Sequence, residues 1–114
     1  MKKEIIINGV TYPVEFTLLT MSNFEEIAKM GFFEANMNKI NIRTAIIEAA
    51  VLTADEHSEL TIKEIRGNET FEDYKQIVEA FNIVMNMAND FFKIPKVEED
   101  KDQKPTGDGE GVKN

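Results

Sequence analysis

The chain contains no cysteine, which removes disulfides, thiolate metal sites and a thiol nucleophile together, so the core must hold without covalent help. That suits a reducing, cytosolic setting. Positive charge is scarce as well: 13 Lys plus Arg stand against 21 Asp plus Glu, a formal charge of −8. Such a balance repels phosphate backbones and anionic lipid, so neither nucleic acid nor membrane is an expected partner. Long apolar runs are missing too. Nothing approaches the roughly 18 residues of a membrane span, and the start Met1-Lys2-Lys3-Glu4 lacks the apolar length of a signal peptide. We expect an unexported chain with a cytoplasmic location.

The residues that carry most chemistry are few. His57 is the only histidine and falls among Asp55, Glu56 and Glu59, a solvated loop that by itself supplies no pocket. Asp55, His57 and Glu59 occupy the first, third and fifth places of a possible calcium loop. Its sixth place is Leu60 rather than glycine and its twelfth is Arg66 rather than glutamate, so the EF-hand pattern fails where it is most informative. Serine occurs only at Ser22 and Ser58, neither in a nucleophile elbow. Gly9, Gly31 and Gly67 are isolated, each with a turn or cap explanation, and none builds a phosphate-cradling loop. No enzyme, cofactor or metal is implied.

What is present is a helical pattern. At 114 residues the chain has room for one modest core, burying about two thirds of its unfolded surface. From Thr70 to Phe92, apolar residues recur at Phe71, Tyr74, Ile77, Val78, Phe81, Val84, Met85, Ala88, Phe91 and Phe92, a 3.6-residue rhythm. The spacing predicts a helix over 71–92, about 33 Å long, around which the remaining elements pack. Thr70 caps it and Glu72 and Asp73 favour its positive end. Ile42 to Ala54 is apolar nearly all round, the signature of a central core helix over 42–54. Between these two, Thr61-Ile62-Lys63-Glu64 has capping-box spacing for a short helix over 62–66. Ser22-Asn23-Phe24-Glu25 has the same spacing, with Thr20 or Ser22 as cap, for a helix over 21–30 closed by Gly31. Phe32, Phe33 and Met37 fit one further helical turn.

At the N-terminus the period changes to two. Asn8-Gly9 favours a type I′ turn, giving a hairpin over 3–16 that pairs Ile7 with Val10, Ile5 with Tyr12 and Lys3 with Val14. One face then carries Ile5, Ile7, Val10, Tyr12 and Val14. Pro13 lacks a ladder donor and belongs at an edge. At the other end, Lys96 to Asn114 has no aromatic residue, two valines, six acids and four lysines, too little apolar surface to offset ordering entropy. The expected fold is mainly α with an N-terminal β-hairpin (α+β), one folded domain over 1–95 and a disordered acidic tail over 96–114.

One stretch exceeds plain folding needs. Between Asn82 and Asn89 the long helix has no charge, and Ile83 and Met87 add apolar surface beside an edge of Asn82 and Asn86. Such patches with flexible methionines suit protein contacts, or are buried by the chain's own elements. Phe32 and Phe33 pose the same alternative. We take Ile83, Met87, Asn82, Asn86, Phe32 and Phe33 as candidate protein-interaction residues.

The order of these pieces resembles a family. The run Ile5-Ile6-Ile7-Asn8-Gly9-Val10-Thr11-Tyr12-Pro13-Val14, then Phe16, a threonine-led helix with Phe24-Glu25-Glu26, and Gly31-Phe32-Phe33-Glu34 ahead of helices and an acidic tail, is similar to the tail assembly chaperones of long-tailed, siphovirus-like bacteriophages. The similarity covers about residues 3 to 95. It implies a non-enzymatic protein of the infected or lysogenic bacterial cytoplasm that coats and solubilises the tape measure protein and recruits tail tube protein subunits. Many such proteins also have a longer, frameshifted form. The alternative is a small structural or adaptor protein of a phage or mobile element, such as a virion head or tail component. Either could form homo-oligomers, with the hairpin edge pairing to a neighbouring copy.

Overall fold

A computed structural model describes residues 2–93 of the chain. It is mostly helical with an N-terminal antiparallel hairpin: β1 (Lys3–Ile7), β2 (Val10–Val14), α1 (Leu18–Ala28), a 3₁₀ turn (Phe32–Glu34), α2 (Ile40–Ala54), α3 (Ile62–Arg66) and α4 (Phe71–Phe92). The expected tail over 96–114 lies outside the described residues.

The hairpin has the register that Asn8-Gly9 demands. Ile7 faces Val10, Ile5 faces Tyr12 and Lys3 faces Val14, with φ of 53° at Asn8 and 79° at Gly9, both on the positive side that a type I′ turn needs. Ile5, Ile7 and Val14 are buried, Tyr12 is half-buried, and Val10 beside the turn stays exposed. Two bonds hold the turn in place. The Asn8 amide N–H donates to Gln76 Oε1 of α4 (2.7 Å), and Asn8 Nδ2 donates to the Glu64 carbonyl of α3 (3.0 Å).

α2 is the hub, packing against α1, α3, α4 and β2. Eight of its 15 residues are buried, including Ala45, Ile46, Ile47, Ala49, Ala50 and Val51. Small alanines let neighbours approach closely, and the isoleucines fill the space between them. α1 crosses on one side through Phe24, which is fully buried. α4 lies on another through Ile77, Ala80, Phe81, Val84, Met87 and Ala88. Arg43 belongs to this contact too, its guanidinium 4.8 Å from the Phe81 ring centre, where cation and ring quadrupole attract.

Both later helices begin where expected. Thr61 and Glu64 cap α3, and Thr70 and Asp73 cap α4. Asp73 Oδ2 accepts from the amide N–H groups of Thr70 (3.1 Å) and Asn68 (3.0 Å) and from the Thr70 hydroxyl (2.8 Å). The Thr70 N–H, then its hydroxyl, hold the Asp73 carboxyl below the usual carboxylate range. Asp73 therefore supports the fold above its ordinary pKa, and this support is lost as pH falls through the depressed value. Gly67 makes the turn between α3 and α4 at φ 59°, ψ −127°. A Cβ there would meet Asp73 Oδ1 at 2.5 Å, so this turn requires glycine.

α1 departs from expectation. It starts at Leu18 with Thr17 as cap, rather than at 21 behind Thr20 or Ser22, and ends at Ala28 with Lys29 in the left-handed region at φ 62°. The cause is tertiary. Thr20 is buried: the Thr17 N–H donates to its Oγ1 (2.9 Å), which lies 3.0 Å from the Glu15 carbonyl and 2.8 Å from Thr53 Oγ1 on α2. Seen alone, Thr20 looks like an exposed cap; packed on α2, it becomes an interior residue three positions inside. At the far end, Glu25 does not reach back to Ser22. Its Oε2 accepts the Phe32 N–H instead (2.9 Å), which draws the chain back onto α1 two residues before Gly31 could close the helix. α2 also begins earlier, at Ile40, behind Lys39 with no side-chain cap.

Two outcomes follow from this packing. Thr20→Val keeps the shape but strands the Thr17 amide and takes a donor from the Glu15 carbonyl, so it costs about 1–3 kcal/mol, read as a drop in thermal midpoint of several degrees. Glu48 on α2 has its carboxyl pushed up from 4.5 by burial, partly offset by the Ile62 N–H it accepts. A raised carboxyl pKa favours the fold when protonated, and that advantage is lost as pH rises through the folded value. Glu48→Gln, which mimics the protonated form, is therefore expected to raise the thermal midpoint at pH 7 and to give no gain below pH 4.5.

Candidate functional site

The most prominent surface feature arises from a mismatch of lengths. α4 has 22 residues and α2 has 15, about 33 Å against about 22 Å. The core is therefore shorter than the helix that covers it, and the apolar stripe of α4 runs past it at both ends. At the N-terminal end Phe71 and Tyr74 are exposed, their rings stacked 6.2 Å apart. At the C-terminal end Phe91 and Phe92 are exposed.

The C-terminal overhang is where other elements converge. The linker between β2 and α1 supplies Phe16, which is buried, and the 3₁₀ turn supplies Phe32 and Phe33. With three residues per turn, adjacent side chains of a 3₁₀ segment point about 120° apart. One of the pair can enter the core only if the other leaves it. Phe32 is buried against Phe24 (5.6 Å) and Phe16 (5.8 Å), edge to face. Phe33 is 77 % exposed. Its ring nevertheless lies 5.7 Å from that of Phe92, which in turn touches Phe16 at 5.8 Å. The exposed rings thus continue an aromatic stack that begins in the core. Phe91 reaches Phe16 at 5.5 Å. A cleft of about 220 Å³ opens between Phe16, Met87, Asp90 and Phe91.

This arrangement offers rings held at fixed positions by buried neighbours, as in the core of a protein contact, with the Asp90 carboxylate among them at the cleft. Rigid aromatic anchors lose little rotamer freedom on binding. The turn bearing them is secured at two points, by Glu25 on the Phe32 amide and by Glu34 Oε1, which accepts the Gly31 N–H at 3.2 Å.

The six candidate interaction residues separate on this frame. Met87 and Phe32 are core residues, each about 5 % exposed, and add no apolar surface of their own beyond the edge Met87 shows to the cleft; this corrects the expectation for both. Met87 follows Val84 by three positions and Ala80 by seven, so it continues the buried stripe rather than flanking it. Ile83 is half-buried against the core. Asn82 and Asn86 are exposed along α4, and Phe33 is exposed beside Phe92. Phe91 and Phe92 were missed because they extend the core rhythm without interruption. Comparing predicted helix lengths would have found them, since no other predicted helix is long enough to cover both ends of α4.

His57 lies in an exposed loop held by local bonds, its own N–H donating to Asp55 Oδ1 (3.0 Å) and the Ser58 N–H to the Asp55 carbonyl (3.0 Å). Among the described residues no group of three or more histidines, aspartates or glutamates could hold a metal ion, and no helix is long and apolar enough to cross a membrane.

If Phe33 is surface and Phe32 is core, the two adjacent rings should respond oppositely. Phe33→Ser is expected to leave the thermal midpoint within about 2 °C, as for a surface change, and to reduce binding of an apolar fluorescent dye. Phe32→Ala is expected to cost about 3–5 kcal/mol. Thermal melts of both variants check this directly.

No protein-family model, no curated protein and no solved structure matches the chain.

Proposed function

We propose that the chain is a tail assembly chaperone of a long-tailed bacteriophage. It binds the tape measure protein, keeps it soluble, and helps recruit tail tube subunits. The reading rests on the resemblance of residues 3 to 95, and the observation that supports it is the aromatic overhang of Phe33, Phe91 and Phe92.

A tape measure protein is a long, amphipathic helical chain whose apolar stripe has to be kept from aggregating before the tube encloses it. A cleft beside fixed phenylalanine rings accepts apolar side chains from one helical turn, Asp90 at that cleft favours a lysine or arginine flanking them, and the uncharged edge of Asn82 and Asn86 lets such a helix continue along α4. Each copy covers a short stretch of the partner. Coating a long partner therefore needs many copies, and recruitment of tube subunits follows once they stand in a row. The work is done by contact alone, with no bond made or broken.

The test is co-expression with the tape measure protein that this reading names as its partner. That protein is expected in the soluble fraction only when this chain is present, and in the pellet again when Phe33 and Phe92 are both replaced by serine. Equal solubility with and without the chain would overturn the proposal.

A further inference from the structure

The hairpin has two outer edges: that of β2 is interrupted by Pro13, and that of β1 has a full set of donors and borders an acidic groove. A two-residue turn makes Ile7 and Val10 a hydrogen-bonded pair, and strict alternation then makes Glu4–Pro13 and Ile6–Thr11 the non-bonded pairs. On β2 the outward positions are Thr11 and Pro13. Pro13 has no N–H to offer, and just beyond it the Glu15 N–H is taken by the Ala50 carbonyl of α2 (3.2 Å). On β1 the outward groups are the N–H and C=O of Glu4 and Ile6. Neither residue's backbone is bonded by a loop, cap or side chain among the described residues, and Ile6 is 61 % exposed.

Alongside this edge runs a groove of about 550 Å³ between β1 and α4, bordered by Ile6, Asn8, Glu72, Asp73, Lys75, Gln76 and Glu79. It carries three acids against one lysine, a net charge of −2 with Lys75 paired to Glu72 at 3.6 Å. We propose that the β1 edge accepts an extended, basic strand from a partner protein. That strand adds to the sheet through Glu4 and Ile6, and its alternate side chains, lysine or arginine, lie over Glu72 and Glu79. Side chains of an added strand point in turn toward and away from the helix layer, so every second residue of the partner meets the acidic wall while the others pack near Ile6. A second copy of this chain does not fit: pairing β1 with β1 brings two acidic grooves and two chains of charge −8 together. The surface is separate from the aromatic overhang, and the proposal stands or falls independently of the chaperone reading.

The probe is a short capped peptide in which lysine alternates with valine, titrated into the full chain beside its glutamate-for-lysine counterpart. The lysine peptide is expected to bind and the glutamate peptide to bind at least about tenfold more weakly. Ile6→Pro removes one edge donor at a position outside the hairpin's own ladder, as Pro13 already does across the sheet. It is expected to weaken the lysine peptide by about tenfold or more while circular dichroism stays unchanged. Glu72→Lys with Glu79→Lys leaves the edge intact and is expected to reverse the preference between the two peptides. Unchanged affinity in Ile6→Pro would overturn the proposal, as would equal binding of both peptides. So would a dimer of the free chain that Ile6→Pro dissolves, since the edge would then belong to a second copy.

Discussion

Everything in this structure depends on enclosing α2. A helix with buried residues at Ile42, Thr44, Ala45, Ile46, Ile47, Ala49, Ala50 and Val51 has almost no face that water can cover without loss, and no disulfide is there to help. The hairpin, α1, α3 and α4 each take one side of it. Polar groups at these contacts are spent on joining elements rather than on chemistry: Thr20 to Thr53, Asn8 to Gln76 and Glu64, and Glu25 to the Phe32 amide. Such bonds add little net energy each, yet leaving one unmade in the interior is costly, so they fix which of several similar packings forms.

The same constraint explains the two surfaces. Enclosing a 15-residue helix needs less length than α4 has, and the surplus emerges as Phe71 and Tyr74 at one end and Phe91 and Phe92 at the other. Enclosing it on one side with only two strands leaves the β1 edge unpaired beside α4. The groove at Glu72–Glu79 and the rings at Phe91–Phe92 are separated along α4 by about 18 Å of helix. One chain thus presents an aromatic end and a polar, hydrogen-bonding edge far enough apart to engage different segments of a partner.

How much of this was legible depended on whether the deciding interaction was local. Asn8-Gly9 and the alternation around it determine the hairpin register, and those residues are adjacent, so the pairing could be read directly. Thr61 with Glu64, and Thr70 with Asp73, act three residues apart, and the starts of α3 and α4 were equally readable. α1 was not, because the role of Thr20 is set by Thr53, 33 positions away. Phe32 and Phe33 were indistinguishable as a sequence; the turn that carries them is anchored by the Phe32 N–H donating to Glu25, seven residues back. Met87 was misplaced for a related reason, since its neighbours Asn86 and Asn89 suggested a boundary face while helical geometry sets it above Val84 in the core.

The central claim is that this protein acts by laying exposed phenylalanine rings against an apolar helix of another protein. Hydrogen exchange by mass spectrometry, on the chain alone and mixed with the tape measure protein proposed as its partner, tests it most directly. The account predicts new amide protection concentrated in the 3₁₀ turn at Phe32–Glu34 and the last turns of α4 from Met87 to Phe92. Protection absent from both segments in a formed complex would contradict it.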